Sequence, residues 1–306
     1  VNHGGIDMGH GLRAKVLGVA MRELGLPEAS IRVLFPSTDK VPNTAPTAAS
    51  TGADMNGMAV RDACATLRAR IAEVVAEKLS ATAGRAIAAK ELRFEDGRVS
   101  VTGAPELAMT FAEAAEATFQ ARVPLEATGY YRTPGVYLDR ARGKGRPFHY
   151  FALGCAVAEV EVDGSTGETR VVSVDILHDV GDSLNPAIDR GQIEGAFVQG
   201  IGWLTSEEVL WNPDGSLATK SASTYAIPTI RDAPARLHVR LFPRPAEVET
   251  IGRSKAVGEP PFLLALSVHS AIRDAVAAFG EGPTTRLDSP STPEAVARAI
   301  DARTRV

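Results

Sequence analysis

At 306 residues, 44% hydrophobic and 23% charged, the chain has the make-up of a folded globular protein with a sizeable core, which excludes a disordered segment. Lys and Arg number 33 against 37 Asp and Glu, and the resulting formal charge of -4 is too mild to call for nucleic acid or a membrane surface as partner. No apolar run reaches membrane-spanning length and no secretory signal is visible, so a cytoplasmic location is expected, with Cys64 and Cys155 as buried free thiols.

The chain opens without an initiator Met, apparently inside a motif, and reads as a piece of something larger. A glycine-rich loop, Gly4 to Gly11, runs into a helix over Ala14 to Leu24, where Val16, Val19, Ala20 and Leu24 recur at helical spacing. Ile31 to Phe35 reads as a strand. A second small-residue loop, Val41 to Gly52, precedes a long helical pattern over Met55 to Leu79. Asp96-Gly97 turns a hairpin over Glu91 to Val101, and Phe111 to Ala121 reads as a helix.

The spans 80–90 and 141–146 are the candidate loops, insertions or subdomain joints. Alternation over Ala158 to Val162, a turn at Asp163 to Glu168 and a return along Thr169 to Ile176 predict a two-stranded unit with one wet face. Gln192 to Leu204 is a Gly-interrupted helix, His238 to Phe242 a late strand, and Thr292 caps a last helix from Pro293 to Ile300. Helices mixed with hairpins, without a repeat, give an α+β fold.

The densest stretch chemically is Ser254 to Phe262, with Glu259 between Gly258 and Pro260-Pro261. Gly258 permits close approach of a bulky group, Pro260 biases Glu259 away from helical dihedrals, and an apolar helical stripe follows from Phe262 to Val276. Such a carboxylate stands at the mouth of a helix, where a base is useful. Taken alone it reads as an ordinary first-turn carboxylate. The two glycine-rich or small-residue loops, with the helix carrying Gln199, share unshielded backbone N–H groups ahead of or on a helix, an anion-binding arrangement. No Walker lysine or strand-led dinucleotide fingerprint accompanies them.

In order, Gly4-Gly5-x-x-Met8-Gly9-x-Gly11, Val41-Pro42-Asn43-Thr44-x-x-Thr47-Ala48-Ala49-Ser50, Pro147 to Tyr150, Ser183 to Asp189, Gln192 to Gly200, Ser223 to Pro228 and Ser254 to Phe262 resemble the C-terminal portion of the molybdenum-binding subunit of xanthine dehydrogenase. The resemblance extends from Gly4 to about Phe279, and Pro260-Pro261 is closer to the xanthine dehydrogenase and aldehyde oxidase branches than to carbon monoxide dehydrogenase. It implies a partial molybdopterin-binding domain over residues 1–306 and hydroxylation of hypoxanthine, xanthine or a related N-heterocycle. Glu259 would be the catalytic base, with Val257 and Gly258 flanking it. Met8, Gly9, His10, Ser50 and Gln199 would hold the molybdopterin, with Ala48 against the substrate and the Ala49 backbone beside the molybdenum.

Three residues depart from the family pattern: His10 stands where Gln is usual, and Ile6-Asp7 where Thr-Glu is. The resemblance further implies a 2Fe-2S centre and FAD on other domains or subunits, NAD as acceptor, the upstream half of the molybdenum subunit as partner, and a homo-oligomeric enzyme, the fragment alone being inactive. An aldehyde oxidase-like enzyme, or a cofactor-free assembly module of the same family, is the alternative. His269 reads as a hydrogen-bonded core residue, Trp203 and Trp211 as packing anchors, and Glu207-Glu208 and the Arg140, Arg142, Lys144, Arg146 cluster as solvated faces. Asp179 to Asp182 reads equally as a polar turn or as metal-binding carboxylates.

Overall fold

A computed structural model describes residues 1–40, 44, 46–281 and 286–304. Val41, Pro42, Asn43 and Ala45 of the second loop lie outside the described residues. The chain divides into two units, Val1–His149 with Val248–Arg253, and Tyr150–Glu247 with Ser254–Val306. Both mix helices with small sheets, as the α+β reading expects.

In the first unit α1 (Leu12–Leu24) and α2 (Gly52–Ala83) pack together, α1 burying Leu12, Val16, Val19 and Ala20. A second apolar cluster joins Ile71, Val75 and Leu79 of α2 to the antiparallel meander β1 (Leu92–Glu95), β2 (Arg98–Val101) and β3 (Ala104–Thr110) and to α3 (Phe111–Gln120). The hairpin turns at Asp96 and Gly97, both at positive φ, as two-residue turns of this kind require. Thr110 and Glu113 form a capping box on α3, each side chain bonding the other's backbone N–H.

Three expectations are corrected here. Ile31 to Phe35 joins no sheet among the described residues; it meets the chain start instead, the Val1 ammonium donating to Arg32 O at 2.7 Å and Leu34 N–H to Val1 O at 3.0 Å. Residues 80–90 are a loop only in part: α2 continues to Ala83 and a 3-10 turn begins at Ala89, and in the short connection between them Ile87 is buried in the apolar cluster, with its N–H bonded to Ser80 Oγ. Residues 144–146 form β5 (Lys144–Arg146), paired antiparallel with β4 (Tyr137–Asp139).

The second unit is built on the antiparallel pair β6 (Gly154–Val162) and β7 (Thr169–His178), to which β8 (Arg236–Leu241) adds in parallel. A parallel neighbour needs a long crossover, and α4 (Pro186–Thr205) lies within it. One sheet face buries Val174 and Ile176 against Ile193, Phe197 and Leu204 of α4, Val268 and Ile272 of α5 (Leu266–Ala277) and Val296 of α6 (Pro293–Thr304). The other face is wet and paired by charge, with Arg236 on Glu159 and Arg170 on Glu161.

Helix α4 begins six residues before the expected Gln192. Asn185 caps it, its Oδ1 accepting from Ile188 N–H at 3.2 Å, and Pro186 occupies the first turn where its missing N–H costs nothing. Cys64 is buried, as expected, but Cys155 is exposed because it falls on the wet face of β6. Burial pushes the Cys64 thiol up to about 11. Trp203 stacks on Phe262 at 5.1 Å, whereas Trp211 is 65% exposed and anchors no core. Glu207 is half-buried and accepts from the Tyr225 hydroxyl at 2.7 Å, so it is not simply solvated. Among the described residues no helix is long and apolar enough to cross a membrane.

Candidate functional site

In the first unit the two loops meet at the start of α2. Ile6 N–H donates to Thr47 Oγ1 at 2.8 Å, joining loop to loop. Asn56 accepts from Gly5 N–H at 3.1 Å and donates to Gly52 O at 2.9 Å, so one side chain ties the glycine-rich loop to the first turn of α2. Met8, Gly9, His10, Ala48, Ala49 and Ser50 therefore belong to one local surface. Met8, Gly9, Ala48 and Ala49 are exposed on it, and His10 and Ser50 are half-buried.

The backbone there is held in uncommon conformations. Ala49 and Ser50 are consecutive non-glycine residues at φ 54, a left-handed placement that costs about 1–3 kcal/mol per residue. Thr51 steadies the turn, its N–H and hydroxyl both reaching Ala48 O, at 3.3 and 3.2 Å. Gly9 has φ +96 with open space where a side chain would project.

The donors of the glycine-rich loop are not unshielded, which corrects the sequence reading. Asp7 folds back over them, Oδ1 accepting from Gly9 and Gly11 N–H at 3.1 and 3.2 Å and Oδ2 from Arg13 N–H at 3.0 Å. Partial burial opposes the Asp7 carboxylate, but these amides, with the His10 ring nearby, outweigh it and hold its pKa below the usual value. Met8 N–H donates to His10 Nδ1 at 3.3 Å. A neutral His10 therefore carries its proton on Nε2, and the ring presents an N–H where the loop's own amides are taken.

Gln199, Val257, Gly258 and Glu259 belong to the second unit. Gln199 is exposed on α4, one residue before the buried Gly200. A Cβ on Gly200 would lie 2.6 Å from both Ala265 Cβ and Phe262 O, so α4 and the 3-10 helix Pro260–Ala265 touch backbone to backbone there. Glu259 precedes that helix with φ -95 and ψ -40, helical values against the expected bias before proline, because its C=O accepts the first turn's bond from Phe262 N–H at 3.1 Å. A six-residue 3-10 helix thus stands between Glu259 and α5. Glu259 is exposed on this chain and Val257 is buried in the core.

Residues 1–234 match the family described as molybdopterin cofactor-binding domain. The chain belongs to this family. It is 42% identical to the xanthine dehydrogenase/oxidase of Gallus gallus over 311 residues, covering all of this chain and 21% of that protein. The xanthine dehydrogenase of Oryza sativa subsp. japonica is 41% identical over 317 residues, again 100% of this chain and 21% of the relative. Among solved structures, quinoline 2-oxidoreductase from Pseudomonas putida 86 superposes with a TM-score of 0.83 at 29% identity, over 99% of this chain and 36% of that one. The chain thus spans about a fifth of the length of these curated relatives. Its α+β architecture is that of the molybdopterin-binding portion of molybdenum hydroxylases, and molybdopterin is the cofactor of the family.

For this molybdopterin-binding chain, the sequence singled out Asp7 and Asp179 without the role of either, and gave no sign that Lys255 pairs with Asp179. Lys255 Nζ reaches Asp179 Oδ2 at 2.5 Å, with the two side chains 10% and 5% exposed. Asp179 also accepts from Gly181 N–H at 2.9 Å, so Asp179 to Asp182 is a turn, and no metal-holding group of His, Cys, Asp and Glu occurs among the described residues. Asp7 carried a readable signal, an acid just ahead of a helix start; the Lys255–Asp179 pair did not. His269 Nδ1 bonds Ser291 Oγ at 2.8 Å as a core histidine should. His178 is 1% exposed with Nδ1 lacking a hydrogen-bond partner, and burial lowers its pKa, only partly offset by the backbone and charge of Asp179.

Proposed function

We propose that this chain is the part of a molybdenum hydroxylase that contributes the catalytic glutamate and much of the molybdopterin site, acting on hypoxanthine, xanthine or a related N-heterocycle. The observation that carries the reading is the build of the stretch Gly258 to Pro261: an exposed carboxylate between a buried, clamped segment and a helix fixed backbone to backbone on α4. The names of the relatives support the substrate class, xanthine for two and a nitrogen heterocycle, quinoline, for the third.

The residues present fit the cofactor. Gly9, with open space beside it, and the left-handed Ala49-Ser50 turn offer backbone free of bulk, as a broad tricyclic ligand needs. The fixed Nε2–H of His10 supplies a donor in place of the usual Gln amide. Met8, Gly9, His10, Ser50 and Gln199 would hold molybdopterin, with the Ala49 backbone toward the metal, Ala48 against the substrate, and Val257 and Gly258 flanking the base. When bound, the cofactor supplies the two-electron oxidation of the substrate carbon. Glu259 accepts at a carboxylate oxygen the proton released as a hydroxyl oxygen bonds to that carbon. Val257 keeps the base on a rigid mount, and Gly258 leaves room for the substrate ring.

The remaining length of the relatives is where an upstream half of the molybdenum site, a 2Fe-2S centre, FAD and NAD-dependent electron exit would belong, in a cytoplasmic homo-oligomer. The test is Glu259→Gln in the full-length protein. Molybdenum and pterin content stay at the wild-type level while turnover falls by roughly 10²–10⁴-fold or more. Turnover within about tenfold of wild type rejects the role of base.

A further inference from the structure

We propose that the buried Lys255–Asp179 ion pair is a positioning clamp for Glu259, an inference that rests on reading Glu259 as the base. Every residue from Ser254 to Val257 is fastened. Ser254 is bridged to Gly181 in antiparallel fashion, and Lys255 N–H donates to Val180 O at 2.7 Å. Lys255 Nζ donates to Asp179 Oδ2 at 2.5 Å and to Phe151 O at 3.1 Å. Ala256 N–H donates to the Tyr150 hydroxyl at 2.9 Å, and Val257 is sunk in the apolar core. Asp179 in turn is fixed by its own N–H to Leu153 O at 2.8 Å and by Gly181 N–H on its Oδ1.

The strap thus ends two residues before Glu259, and Pro260-Pro261 begins the next fixed element immediately after it. Only Gly258 intervenes. Stability is a poor reason for burying this pair, because replacing both partners of a buried ion pair by well-packed hydrophobic groups of similar volume is often neutral or stabilising. Geometry is a better one. A carboxylate displaced by about 1 Å from a reacting atom can lose on the order of 100-fold in rate, and the pair tethers the segment that sets that displacement. Lys255 and Asp179 touch no reacting group; they are positioning residues.

The test uses the full-length, cofactor-loaded enzyme carrying Lys255→Met with Asp179→Asn, which removes both charges and leaves neither uncompensated. Molybdenum content is expected to stay at wild-type level. Hydrogen exchange of the amides in 254–259 should quicken by about tenfold or more, and kcat should fall by about 10- to 100-fold with KM little changed. Wild-type exchange and wild-type kcat in the double variant overturn the clamp. Should the double variant not fold, the same two readouts on Asp179→Asn alone decide it in the same way. Quickened exchange beside a fully active Glu259→Gln variant overturns the base and leaves the clamp of the segment standing.

Discussion

Met8 N–H donates to His10 Nδ1 across 3.3 Å, and that bond decides which ring nitrogen can serve a ligand. With Nδ1 occupied as acceptor, Nε2 carries the proton, so His10 offers a single donor of fixed direction. A Gln at this position would offer the same donor on a longer, more flexible arm. His10→Gln should therefore retain molybdopterin. His10→Ala removes both the donor and the acceptor for Met8 N–H, costing about 1–1.5 kcal/mol, or about tenfold in cofactor affinity. Molybdenum per polypeptide after dialysis against apo-protein measures both.

Asp7 holds two amides of the glycine-rich loop and one in the first turn of α1, and its loss leaves Gly9, Gly11 and Arg13 N–H without their acceptor. This is the work of a helix N-cap done from a distance, since the nominal cap, Gly11, has no side chain to do it. Asp7→Ala should destabilise the first unit by about 0.5–2 kcal/mol, and Asp7→Asn, which keeps one acceptor oxygen, by about half as much. Denaturant unfolding followed on this unit separates the two variants.

Three histidines and Asp7 contribute to acid sensitivity, beside surface carboxylates such as Glu113 and Glu249 that hydrogen bonds also hold low. Burial is the largest cause lowering the pKa values of His3, His178 and His269, with the charge of Arg273 adding at His269. An unfolded chain protonates these histidines near pH 6.5 while the folded chain resists, so the unfolded state binds more protons just below that pH. Their contribution is complete above about pH 6.5 and is lost as pH falls toward the folded values. Asp7, also lowered, contributes above its ordinary carboxylate range and loses that contribution as pH falls through its folded value. Tm measured at constant salt should be level from about pH 8 to 7 and fall below 6.5. A further drop should follow below about pH 4, and Asp7→Ala should blunt that second drop alone.

What the sequence made legible was whatever is encoded within a few residues. Asp96-Gly97 specified the hairpin, Val160 and its alternating neighbours the wet-faced pair, and the ordered motifs around Met8, Ser50 and Glu259 the family. What it hid depends on distance. Lys255 meets a carboxylate 76 positions away, and no periodicity announces that. Ile31 to Phe35 has strand-like residues, but a strand needs neighbours, and its backbone bonds run to Val1 at the chain start rather than to a sheet strand among the described residues. Glu259 shows the same limit: the residue before a proline is biased toward extended backbone, yet the helical bond from Phe262 prevailed.

Gly200 couples the helix bearing Gln199 to the helix that follows Glu259. A methyl added there would sit 2.6 Å from Phe262 O and from Ala265 Cβ. The first of these is backbone and cannot rotate aside, while Ala265 is itself fully buried. The 3-10 helix must therefore shift bodily, taking Glu259, at its N-cap, with it. Overpacking of this kind costs about 1–3 kcal/mol, so Gly200→Ala should fold with a lowered midpoint. Its catalytic effect should exceed that loss of stability: kcat falls by about tenfold or more at temperatures well below the midpoint, because the base has moved relative to the reacting carbon. Ala265→Gly, which opens space for the added methyl on one side only, should recover part of the midpoint and little of kcat, since Phe262 O still obstructs. Steady-state kinetics and thermal unfolding on Gly200→Ala and on the pair of substitutions check this directly; a Gly200→Ala variant with wild-type kcat would mean that the contact does not set the position of Glu259.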